Sequence, residues 1–290
     1  MYELIPLRER SFVFRGPTNV GIYIRGDRAT VIDSGATRKD AAALLGTLDA
    51  HGWKLETVLN THYHADHIGG NAYLQEHTGC RCFSPAPFFA QVPLMNAAFL
   101  FYAEPPAPLR GETFLAAGSR TEQLTSDLLP DGFSMKSYPG HCYEQYAIRT
   151  PDDVLFVGDV LLGYEELQQK TMFYFYSYPQ HMDSLDRIEQ EHAHVFVPSH
   201  GSPVQEVAAL TAANRAHFLQ MREWILEFCA GDGMSQDELM KAIFDRLHRH
   251  LHLALYSLNV CSLHAYLSAL IDEHQIIARA KGNMMRFHTI

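Results

Sequence analysis

Residues 60–70 read NTHYHADHIGG, placing three histidines and an aspartate, His62, His64, Asp66 and His67, within six consecutive positions ahead of a Gly-Gly pair. Imidazole nitrogens and carboxylate oxygens are the donors that a borderline divalent cation such as zinc or iron takes. The run LETVLNTH that leads into the motif predicts a strand, so His62 and His64 point to one side of it. Asp66 and His67 come one turn later, where the chain bends into a helix, and two offset pairs of donors suit two neighbouring metals better than one. Burying such a set between a strand and a tight turn is costly without a cation.

Three further candidates each end an apolar run: His141 after YPG, Asp159 after LFVG and His200 after VPS. On α/β scaffolds such strand ends carry the functional loops. With the motif they make a set of seven ligands, enough for two metals with a shared carboxylate and a water between them. The remaining histidines, including His51, His77, His181, His192, His194 and the group from His248 to His252, read as ordinary polar residues.

The elements that must position these groups alternate in the first two thirds of the chain. SFVF, NVGIYIRG and ATVIDSG predict strands, TRKDAAALLGTLDAHG an amphipathic helix, GNAYLQEHTG a helix and CRCFSP a strand. Residues 84–117 are rich in Pro, Phe, Ala and Met and predict a loop-rich cap with a short helix. Strands resume at FSMKSYPGH, QYAIRT and VLFVGD. HMDSLDRIEQEHAH predicts a helix capped near Asp183 or Ser184, and VFVPSHG a closing strand. From about residue 205 the period is helical: one long helix, a second opened by the Ser235/Glu238 capping pattern, and a third over LNVCSLHAYLSALIDEH. Two short strands around Lys281-Gly282-Asn283 close the chain, an order that suggests a winged-helix-like appendage. The expected division is residues 1–204 for the catalytic unit, with the cap inserted at about 84–117, and 205–290 for the appendage.

The 290 residues carry a formal net charge of −10, which argues against a large nucleic-acid footprint. MYELIPLRER does not read as a signal peptide, and the longest apolar run, NAAFLFYA, is too short to span a bilayer, so a cytoplasmic location without membrane contact is expected. Five cysteines without a regular framework fit reduced thiols, with Cys80 and Cys82 on one face of a strand.

THYHADHIGG, PGH, LFVGD and PSHG, in that order and after an earlier VIDSG, resemble the motifs of the metallo-β-lactamase fold superfamily from Asp33 to His200. The resemblance implies an α/β fold, a four-layer αββα sandwich with the metals at one edge of its two sheets. It implies His62, His64 and His141 on the first metal, Asp66, His67 and His200 on the second, Asp159 bridging both, and Asp33 behind them as the residue that positions the histidine loop. This set is similar to that of glyoxalase II, lactonase and ribonuclease-type members. Flavodiiron oxidases that resemble this fold show a glutamate where this chain has His64, so hydrolysis is favoured over oxygen reduction. One departure stands out: relatives commonly follow PGH with Thr or Ser and then Pro-Gly, and here Cys142 and Tyr143 follow.

The expected chemistry is attack of a metal-bridging hydroxide, oriented by Asp66, on an acyl carbon of a small thioester, lactone or related ester. Zinc is the expected metal, with manganese and iron as alternatives. Tyr164, five residues after Asp159, is a candidate substrate contact. The aromatic-rich cap and KTMFYFYSYPQ read equally as an apolar substrate pocket, a packed lid or a homodimer interface. A single-strand ribonuclease of the winged-helix-bearing branch is the alternative, although residues 204–290 hold 8 Lys and Arg against 9 Asp and Glu, with Arg279, Lys281 and Arg286 as the local basic feature. A third reading keeps the metals for structure alone.

Overall fold

A computed structural model of the chain describes residues 2–92, 94, 103–111, 114–169 and 171–290. Its strands are β1 (Glu3–Pro6), β2 (Ser11–Arg15), β3 (Val20–Arg25), β4 (Arg28–Ile32), β5 (Lys54–Leu59), β6 (Arg81–Ser84), β7 (Thr121–Gln123), β8 (Ser134–Ser137), β9 (Tyr146–Arg149), β10 (Val154–Gly158), β11 (Val195–Pro198), β12 (Ile276–Lys281) and β13 (Met284–Thr289). Its α-helices are α1 (Arg38–Ala50), α2 (Ala65–Ile68), α3 (Asn71–Thr78), α4 (Pro87–Gln91), α5 (Tyr164–Leu167), α6 (Tyr178–Ile188), α7 (Val207–Phe228), α8 (Gln236–Leu247) and α9 (Leu253–Asp272).

Strands β1 to β7 form one sheet in sequence order, antiparallel as far as β4 and parallel from β4 to β7. The second sheet has the order β11-β10-β9-β8. Side chains alternate across a strand, so neighbours enter different cores. Ile32, Leu59, Ile148, Phe156 and Val197 meet between the sheets. Val31 and Val58 turn the other way, onto Leu44 and Leu48 of α1 and Leu74 of α3. Leu155 and Val157 likewise face Leu185 and Ile188 of α6 and Phe218 and Met221 of α7. Helices therefore cover both outer faces of the paired sheets.

The same outer core continues without a break into Leu239 and Ile243 of α8, Leu263 and Leu270 of α9, and Ile276 of β12. Ser235 and Glu238 close the expected capping box at the start of α8. By length and composition, α9 is long and apolar enough to cross a bilayer, with a mean hydropathy of 1.3. Here half of it is buried, against α6, α8 and β12. Its apolarity is spread between polar residues, so a search for uninterrupted apolar runs passes over it.

Several boundaries differ from those expected. β5 ends at Leu59, so His62 and His64 belong to the loop beyond the strand. The amide of Thr61 is taken by the Asp33 carboxylate instead of a neighbouring strand. Helix α6 starts at Tyr178 after Ser177, with Pro179 in its first turn where the missing N–H costs nothing, and it ends at Ile188. In the cap, α4 is the expected short helix, while residues 93, 95–102, 112 and 113 lie outside the described set.

Candidate metal centre

The loops after β4, β5, β8, β10 and β11 deliver Asp33, the histidine motif, His141, Asp159 and His200 to one end of the paired sheets. The motif turns sharply there because its glycines let backbones touch. A Cβ on Gly69 would sit 2.0 Å from the Ala36 carbonyl oxygen, and one on Gly70 would sit 2.3 Å from that of Ser34. Asp33 adopts a left-handed φ of +63°, an uncommon conformation for a non-glycine residue that often marks a functional site. From there its carboxylate accepts the Thr61 amide at 2.8 Å, the Thr61 hydroxyl at 2.8 Å and His67 Nδ1 at 2.9 Å.

Seven side chains converge in two groups, His62 with His64 and His141, and Asp66 with His67, Asp159 and His200; within each group the donor atoms lie within 4.8 Å of one another. In the first group the hydrogen-bond network assigns the tautomers. The Thr61 hydroxyl donates to Asp33, so at 3.1 Å it accepts from His62 Nδ1 and leaves His62 Nε2 a bare lone pair. His141 Nδ1 donates to the Tyr174 carbonyl at 3.1 Å, which bares its Nε2 as well. Both bare nitrogens face His64 Nδ1, at 3.1 and 2.9 Å. One imidazole proton cannot satisfy two acceptors. Burial, aided by the neighbouring imidazoles, holds His62 well below the usual histidine range and His64 down to about 3, so these rings stay neutral.

The second group is acidic. Burial opposes ionisation of Asp66, yet His67 and His200 outweigh it and hold the carboxyl well below its ordinary value; Asp159 is held low against burial by His67, His200 and His141. Conversely, burial disfavours charge on His67 and His200, but Asp66 and Asp159 push both up, His200 to about 9. Buried His67 Nε2 and Asp159 Oδ1 face each other at 3.5 Å, and neither has a hydrogen-bond partner. His200 Nδ1 donates to the Pro17 carbonyl at 3.0 Å and turns Nε2 inward, 3.2 Å from Asp66 and 3.6 Å from Asp159. Asp159 also lies 3.3 Å from His141 Nε2, so it stands between the two groups.

Converging lone pairs on one side and orphaned buried atoms among carboxylates on the other form a donor set that fits divalent cations. All seven candidate ligands are brought together, with Asp33 behind them. Tyr164 is exposed and does not line the adjoining cavity, whereas Leu162 and Glu166 from the same segment do. The Cys142 thiol is buried and donates to the Glu144 carbonyl at 3.2 Å, making a turn contact of the kind a hydroxyl makes, while exposed Tyr143 rests edge-on against Tyr176.

The centre opens into a cavity of about 340 Å³. Asp66, His200, His64, His141 and Asp159 line its polar end, and Phe114, Leu162, Phe173, Tyr174, Phe218 and Leu258 line the rest. Phe218 comes from α7 and Leu258 from α9, so the C-terminal helices build part of this wall. His181 of α6 also lines it. The sequence does carry a signal for that residue, since His181 sits at core spacing between Tyr178 and Leu185 on the apolar face of α6.

The Metallo-beta-lactamase superfamily model matches residues 13–200, and the chain belongs to that superfamily. A hydroxyacylglutathione hydrolase of Rhodopseudomonas palustris (strain BisB18) is 46% identical over 136 residues, 45% of this chain and 45% of the relative. An atrochrysone carboxyl ACP thioesterase of Aspergillus fumigatus is 25% identical over 246 residues, 79% of this chain and 69% of the relative. A solved beta-lactamase domain protein from Burkholderia ambifaria superposes with a TM-score of 0.78 at 21% identity, covering 99% of this chain and 94% of that one, a likeness of fold. The chain spans about half the length of the hydroxyacylglutathione hydrolases it matches.

Proposed function

We propose that this protein is a metal-dependent hydrolase of small acyl substrates, thioesters first and lactones or related esters second. The observation that carries this reading is the opening of the double His/Asp cluster into a largely apolar cavity. Superfamily membership and relatives named as thioester-cleaving enzymes support it.

His62, His64 and His141 would hold one cation, Asp66, His67 and His200 a second, with Asp159 shared. Zinc suits the mixed nitrogen and oxygen donors, and manganese or iron are also compatible with them. Bound there, such cations polarise an acyl oxygen and make water nucleophilic near neutral pH. Asp66, ionised and about a third exposed, faces the cavity, where its carboxylate orients the attacking water by accepting a hydrogen bond. Asp33 fixes the His67 ring and the Thr61 backbone, so the motif need not rearrange as substrate enters. The acyl portion lies against Phe114, Phe173, Phe218 and Leu258, which exclude water from it. The order α7, α8, α9, hairpin supports a winged-helix-like reading of residues 205–290, with the further role of completing this wall.

The ribonuclease alternative has less support. Arg286 is engaged by Glu238 at 3.0 Å, and among the described cavity-lining residues there is no Lys or Arg to meet a phosphodiester. The test is turnover of a panel of acyl thioesters, lactones and phosphodiesters by zinc-loaded protein. Thioester cleavage that EDTA abolishes is expected, and phosphodiester cleavage without any acyl hydrolysis would overturn the reading.

A further inference from the structure

His181 lies outside the seven candidate ligands and behind none of them. It is only 3% exposed and lines the same cavity. Its ring stacks on Phe175 at 6.0 Å and meets Phe218 edge-on at 4.6 Å. Neither ring nitrogen has a hydrogen-bond partner in the protein. Burial, reinforced by His141, keeps the ring neutral, so it presents one donor and one acceptor.

The backbone at this position is fixed independently of the side chain. Gly140 has a φ of +128°, and a Cβ there would lie 2.3 Å from the His181 amide nitrogen. The loop that delivers His141 therefore packs directly on the first turn of α6, and the imidazole is carried beside the centre. An apolar residue would fill that space as well and leave nothing unsatisfied. Buried polar groups in folded proteins are normally paired, and an unpaired one held in a cavity wall is a place for a ligand.

We infer that His181 is a specificity-determining residue that hydrogen-bonds an oxygen substituent, a hydroxyl or keto group, on the acyl chain lodged in the apolar part of the cavity. The inference rests on the acyl-hydrolase reading for its setting. A site built to hydrogen-bond a substrate group discriminates against the analogue that lacks it far more strongly than an apolar pocket discriminates by size.

The test uses N-acetylcysteamine thioesters of butanoate, 2-hydroxybutanoate, 3-hydroxybutanoate and 3-oxobutanoate with zinc-loaded protein. At least one oxygenated substrate is expected to exceed butanoate in kcat/KM by about tenfold or more. His181→Leu removes that preference, and His181→Gln, which keeps a donor and an acceptor, retains part of it. Calorimetric binding of the free acids gives a readout separate from turnover: tighter binding of the oxygenated acid, lost in His181→Leu. An unchanged preference in both variants, or no preference in the wild type, overturns the role of His181. Binding discrimination without any thioester turnover would instead retire the thioester reading and leave the assignment of His181 standing.

Discussion

The two halves of the candidate metal centre offer donors to a cation in opposite ways. The His62, His64 and His141 group has no charge of its own; burial keeps its rings neutral and the hydrogen bonds behind two of them aim bare nitrogens inward. The Asp66, His67, Asp159 and His200 group is built around two carboxylates whose field favours positive charge on both of its histidines. Exposure varies within the groups and not between them: His62 and His67 are fully buried, His64 is half-buried, and Asp66 and His200 keep 33% and 22% of their side chains exposed. The neutral group thus offers donors set by geometry and the acidic one donors set by charge, and both present side chains to the cavity.

The largest effect should come from the residue that joins the two. Asp159→Ala removes the carboxylate beside His141, His67 and His200 at once. Acyl hydrolysis should fall by about 10³-fold or more, with both metals depleted by elemental analysis. Near-normal metal content and activity would show that the groups do not share it.

Separating the halves gives the next effect. His64→Ala and His200→Ala should each leave about one metal equivalent and cost roughly 10²-fold in kcat. The two variants should differ in which substitution is tolerated at more acid pH. The imidazole group of His200→Ala should retain metal to lower pH than the acidic group of His64→Ala, because burial keeps protons off His62 and His64 whereas Asp66 and Asp159 draw them onto His67 and His200. Identical pH profiles of metal retention would erase the distinction.

The smallest of these effects concerns the support behind the acidic group. Asp33→Asn keeps the left-handed backbone, which asparagine tolerates, but sets an amide against donors now received by a carboxylate. Metal affinity should drop by about 10- to 100-fold, measured by competition with a chelator, and an unchanged affinity would leave Asp33 without a positioning role.

Much of this centre is legible in the sequence because its ligands follow predicted strands, so the strand pattern and the ligand type reinforce each other. His141, Asp159 and His200 are found that way, and the structure places them beside the motif. Residues whose importance comes from tertiary neighbours are not legible in this way. The core spacing of His181 shows that it is buried but not beside what, which only Phe175, Phe218 and the cavity decide, and the Cys142 thiol takes its turn contact only once the loop is folded. Strands β1 and β7 are too short to show alternation, and they exist because a neighbouring edge accepts them. The early start of α6 follows from Pro179, which breaks helices in their interior and suits them at their first turn.

The most direct test is a zinc titration of metal-stripped protein, with bound metal and acyl-thioester turnover followed on the same samples. Two equivalents should bind per chain, and turnover should rise to its maximum only as the second is taken up. Saturation at one equivalent, or thioester turnover that persists in the stripped protein, would contradict the account of a neutral and an acidic half working as one centre.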